Sequence, residues 1–153
     1  MRLNRGTRHA AGSRDRVVTG LLGVLGLLTL GTGLHFLFVR PAMLPEDFRF
    51  IGLDPGQLPA RMSVWLGIVF RTWGGFMVGF GVVLMGVAAY LETARPALLR
   101  WGVAAGLLVA FGRFFASNLA LRSDYLVFVA ILFGLAVMAA TGLALRSGRR
   151  SRG

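Results

Sequence analysis

The chain has 153 residues, 56% of them hydrophobic and only 15% charged, with a formal net charge of +11. That balance excludes an ordinary soluble domain and fits a compact bundle of membrane helices. The absence of cysteine removes disulfides, thiolate catalysis and iron–sulfur ligation in one step.

All 17 basic residues are arginine, and most stand beside apolar runs. Arginine placed this way belongs to membrane topology and anionic headgroups rather than to nucleic acid. An all-arginine basic set with abundant glycine and alanine also suggests a GC-rich bacterial genome, and so a multi-pass protein of the bacterial inner membrane.

Residues 1–16 form a basic tail with Arg2, Arg5, Arg8, Arg14 and Arg16. Residues 17–39 follow without one charged side chain, long enough for a helix of about 35 Å. The run is too long for the apolar part of a signal peptide, and Phe38-Val39-Arg40-Pro41 offers no small-residue cleavage pattern. A retained first membrane helix is expected.

Next comes a connection, 40–61, with prolines at 41, 45 and 55 and three of the six acids, Glu46, Asp47 and Asp54. Interleaved Phe and Leu predict a short helix or re-entrant cap rather than a slack linker. Asp54-Pro55-Gly56 should form a turn.

Residues 62–91 form a second apolar run interrupted only by Arg71, and 97–121 a third, with Arg100 at its edge and Arg113 within. Pro96 suits the start of that helix, where a missing N–H is harmless. A fourth span, 125–145, is uncharged, and 146–153 is a second basic tail. The expected fold is all-α, an integral membrane four-helix bundle with a cap loop between the first two spans. Eleven arginines lie in the two tails and the middle connection, against four in the two opposite connections. The positive-inside rule then puts both termini in the cytoplasm and the cap loop outside.

Arg71 and Arg113 are the sharpest functional clue, because a guanidinium stays charged and is costly in hydrocarbon. Arg71 shares its side of a helical wheel with Gly74, Gly75, Gly79, Gly81 and Gly86. Arg113 shares its side with Gly102, Gly106, Val109, Ser117 and Ala120. Small faces let helices approach closely, so both arginines are expected to point into the bundle. Counting from the span ends sets both at one depth, roughly 10 Å below the outer surface. His35, Ser117 and Asn118 fall near this level, which describes an outward-facing polar pocket.

Three readings stay open. The first makes the arginines staples that bind the loop acids Glu46, Asp47, Asp54 or Asp124. The second makes them, with His35, Ser117 and Asn118, a site for a small anion or a lipid- or quinone-like ligand. The third has them snorkel to the surface. A lone histidine gives metal binding no support, and no cofactor motif or catalytic constellation stands out. The partners implied are the bilayer, anionic headgroups at the tails, and a membrane-protein partner or second copy. Function thus reads first as structural or accessory.

The chain resembles the small DoxX-like four-helix bacterial membrane proteins and their domain-of-unknown-function relatives. The likeness rests on a Gly/Leu-rich first helix, a proline-containing outer loop, Arg71-Thr72-Trp73-Gly74-Gly75 and Phe111-Gly112-Arg113, and covers roughly 17–145. It implies the four-helix fold, and its relatives are linked to sulfur and quinone redox chemistry. Many of those relatives carry an acid in the fourth helix, where this chain has Ile131-Leu132-Phe133-Gly134.

Overall fold

A computed structural model describes residues 5–93 and 96–147. The basic residues of 148–153, together with Arg2 and Arg95, lie outside the described residues. Within them are five α-helices: α1 (Arg5–Phe38), α2 (Pro45–Ile51), α3 (Ala60–Thr93), α4 (Ala97–Ala120) and α5 (Leu126–Ser147). One 3₁₀ turn spans Pro55–Gln57. Four helices are long and apolar enough to cross a membrane, and they fall on the four expected runs. α1 begins at Arg5, so the helix runs on through the basic stretch ahead of its apolar part.

α1 packs along α3, α5 packs along α4, and a narrower contact between α1 and α5 joins the two pairs. The α1–α3 crossing is built on glycine. A methyl group at Gly33 would sit 2.7 Å from the Val78 nitrogen and 2.8 Å from the Gly74 carbonyl oxygen, and one at Gly81 only 2.7 Å from that of Gly26. Gly26 and Gly33 on one helix, and Gly74 and Gly81 on the other, are each seven residues apart. They recur on one stripe and bring the two backbones into contact.

That choice decides which glycines are used. The wheel of α3 carries a glycine arc about 160° wide. Only its Gly74–Gly81 edge meets a partner, while Gly75, Gly79 and Gly86 have no atom within 4 Å of where a Cβ would stand.

The buried core combines Leu22 and Leu25 of α1, Leu84 and Leu91 of α3, Leu107 and Phe111 of α4, and Leu132 and Leu143 of α5. It lies in the half of the bundle nearer the chain termini. α3 and α4 touch through side chains, as where the rings of Phe80 and Phe111 lie 6.2 Å apart. Toward the other end, here called the loop end, α3 continues beyond the last turn of α1. The connection holding α2 fills the space above α1.

α2 is short but well terminated. Pro45 opens it, the Leu44 N–H donates to Asp47 Oδ2 at 2.8 Å, and Gly52 closes it in the left-handed region with φ 69°. Glu46 and Asp47 in its first turn and Arg49 in its last suit the helix dipole.

Candidate functional site

The loop end is organised by an arginine that the sequence placed merely in a connection. Arg40 follows the last turn of α1, and its side chain is only 5% exposed. Its Nη2 donates to Asp47 Oδ2 at 2.9 Å, and Nη1 donates to the Pro41 carbonyl at 3.0 Å. The guanidinium carbon lies 3.4 Å from the ring centroid of Phe70 on α3 and 5.1 Å from that of Phe36 on α1. Charge, hydrogen bonds and aromatic faces converge on one group. Burial lowers the Arg40 pKa from its usual value, and the neighbouring Asp47 works in the opposite direction.

A second tie crosses to the other pair of helices. Glu46 is 2% exposed, and its Oε1 accepts a hydrogen bond from the Ser123 hydroxyl at 3.0 Å. Ser123 lies in the turn between α4 and α5. The turn is tight enough for Arg122 to adopt φ 50° and for the Ser123 N–H to reach the Asn118 carbonyl at 3.0 Å. A third tie, Arg49 to Asp124 at 2.6 Å, spans the same elements but is more than half exposed on both sides. α2 is thereby held to α1 by Arg40 and to the α4–α5 turn by Glu46 and Arg49.

At the opposite end Arg100 is buried on α4, and its Nη2 donates to the Leu143 carbonyl of α5 at 3.0 Å. The buried arginines that tie elements together, among the described residues, are therefore Arg40 and Arg100, at the edges of the spans. Sequence reasoning missed both, since a span-edge arginine reads first as a topology signal. The available hint for Arg40 was local: Phe36 one turn before it and Asp47 seven residues after it.

Arg71 and Arg113 differ from expectation. Both side chains are exposed on the surface of the bundle, and among the described residues neither makes a hydrogen bond or ion pair. Neither is buried inside the bundle, contrary to the expectation from the glycine faces. The loop acids expected to receive them are engaged elsewhere: Asp47 by Arg40, Asp124 by Arg49, and Glu46 by Ser123. Asp54 lies at the 3₁₀ turn, where its backbone N–H donates to Gln57 Oε1 at 3.2 Å, and its carboxylate forms no ion pair with an arginine among the described residues.

The physical reason differs for the two helices. On α3, pairing through Gly74 and Gly81 turns Arg71 to the rim. On α4, the buried positions Arg100, Ala104, Leu107 and Phe111 define the inward face. Arg113 lies about 150° from its centre, pointing away from the other helices. Gly102, Gly106, Val109 and Ala120 are exposed with it.

Depth is corrected as well. Taking Phe80 and Phe111 as one level, Arg71 lies nine residues, about 13 Å, toward the loop end. Arg113 lies only two residues, about 3 Å, in that direction. The two are separated vertically by about 10 Å, because α3 projects past the end of α1 and the span end is a poor marker of depth.

The remaining expected site residues turn to their own helices. The Ser117 hydroxyl donates to the Arg113 carbonyl at 2.9 Å, and the Asn118 amide donates to that of Phe114 at 2.9 Å. His35 packs edge-on against Phe36 at 6.2 Å between centroids. Asn118 falls on the inward side of α4, about 140° from Arg113. On the surface of α3, Thr72, Gly75, Phe76, Gly79 and Phe80 line an open groove of about 500 Å³. Its floor is the pair of unused glycines. No group of three or more histidine, cysteine or acidic residues suited to a metal ion occurs among the described residues.

Fold and site together describe a small helical protein with four helices fit to cross a membrane. Comparison with protein-family models, with curated proteins and with solved structures finds no match.

Proposed function

We propose that this protein is a structural or accessory multi-pass protein of the bacterial inner membrane, with both termini cytoplasmic, which works by associating with another membrane component. The observation that carries the reading is the disposition of charge. The loop acids Glu46, Asp47 and Asp124 are used internally to hold α2 down, whereas Arg71 and Arg113, on exposed small-residue faces, have no ion-pair partner among the described residues. A protein whose polar groups converged on an interior cavity would have the opposite arrangement. The DoxX-like resemblance supports a four-helix fold and lends no reaction to it.

A second reading is favoured by those same free guanidinium groups: a binding or transport module for a small anion or a lipid- or quinone-like ligand, using Arg71 and Arg113. Native mass spectrometry of the protein released directly from its membrane separates the two. The accessory reading expects a copurifying protein and no retained small molecule. A retained anionic molecule that disappears in both Arg71→Gln and Arg113→Gln would overturn it in favour of the binding module.

A further inference from the structure

We propose that the face of α4 formed by Gly102, Gly106, Val109, Arg113 and Ala120 is a docking surface for a transmembrane helix of another protein that carries a carboxylate. The inference rests on the accessory reading and gives it a surface and a partner chemistry. α4 is the least covered of the four long helices: 17% of its apolar window is buried, against 28% to 39% in the others. Its naked side is also its smallest. A Cβ at Gly102 or Gly106 would meet nothing within 4 Å, and Val109 beside them is 73% exposed. Glycines four residues apart leave a flat strip on which a second helix can lie with its backbone close.

Charge then selects the occupant. Arg113 stands on this strip seven residues, about 10 Å, inside the end of α4, facing away from its own bundle. Its planar fork is matched by a carboxylate. This chain has no Asp or Glu in the apolar runs 17–39, 62–91, 97–121 and 125–145; Glu92, in the last turn of α3, lies at the opposite end from Arg113's side of the bundle. A second copy docked on the same face would therefore set Arg113 against Arg113 and bring no counter-charge at that level. A carboxylate-bearing helix of a different protein satisfies both the flat strip and the guanidinium.

The proposal can be tested with the full-length protein in phosphatidylcholine vesicles and a synthetic Leu/Ala transmembrane peptide carrying one glutamate at the depth of Arg113. Energy transfer between labelled protein and peptide should report about tenfold tighter association for the glutamate peptide than for its glutamine twin. Arg113→Gln should abolish that preference and Arg71→Gln should leave it intact. Gly106→Leu, which keeps the charge but roughens the strip, should weaken binding of the glutamate peptide. Equal binding of the two peptides by the unaltered protein overturns the proposal. So does energy transfer between two copies that Arg113→Gln removes, which would make the face a self-association surface. Loss of the glutamate preference on adding phosphatidylglycerol also overturns it, and assigns Arg113 to anionic headgroups. If the preference fails while a protein still copurifies from native membranes, only the α4 assignment falls; absence of any copurifying protein removes the accessory reading itself.

Discussion

Among the arginines, burial and partnership matter more than nominal depth in the sequence. Arg40 and Arg100 contribute to cohesion because they are enclosed and hydrogen-bonded, whereas Arg71 and Arg113 are exposed and make no hydrogen bond or ion pair among the described residues. Removing the Arg40 guanidinium leaves Asp47, whose side chain is 15% exposed, without its counter-charge. Arg40→Leu should therefore destabilise by about 3 kcal/mol, read as a lowered midpoint of thermal unfolding in detergent. Arg49→Ala breaks a pair exposed by 58% and 59%, and solvent screening should hold its effect below about 1 kcal/mol. Ser123→Ala withdraws the hydrogen bond that Glu46 Oε1 accepts, while Oε2 of that buried carboxylate has no partner among the described residues. A loss of about 1–3 kcal/mol is expected in the same assay. Arg71→Leu and Arg113→Leu should leave the unfolding midpoint in detergent unchanged, and a fall would return both to the role of staples. The identity of these charged groups is readable in the sequence; their partners are not, because the partners come from separate elements, as Arg40 finds Phe36 on α1, Asp47 on α2 and Phe70 on α3.

For the helices, pattern and partner contribute separately. The four long apolar runs are plain in the sequence, since some twenty consecutive apolar residues have few alternatives to a membrane helix. Which side of each helix turns inward is not, because α3 offers glycine over almost half its circumference. Gly74 and Gly81 are selected by the matching seven-residue spacing of Gly26 and Gly33 on α1, a property of the pair and not of either helix. The two kinds of glycine should respond oppositely to substitution. Gly81→Ala places a methyl group 2.7 Å from the Gly26 carbonyl oxygen and should cost about 1–3 kcal/mol by forcing α1 and α3 apart. Gly75→Ala meets nothing within 4 Å and should be neutral or stabilising by up to about 1 kcal/mol through helix propensity. Thermal unfolding of the two variants side by side checks the assignment of the crossing, since equal losses would place Gly75 in contact as well.

Taken as a whole, the molecule has a packed core toward its termini and a loop end closed by α2 and its polar ties. In the proposed orientation, four spans bring both termini to one side, and the arginine distribution is the reason for proposing that this side is the cytoplasm. A periplasm-dependent reporter fused after Gly153 should accordingly be inactive, and an active one would invert the orientation. The sequence by itself determined the membrane class, the number of long helices and the residues able to carry charge, because hydropathy and residue chemistry are properties of a single segment. Only the tertiary structure decided that Arg71 and Arg113 face outward, that they differ in depth by about 10 Å, and that Arg40 and Arg100 hold elements together. Each of those outcomes depends on which helix lies beside which and at what register, and no single segment contains that information.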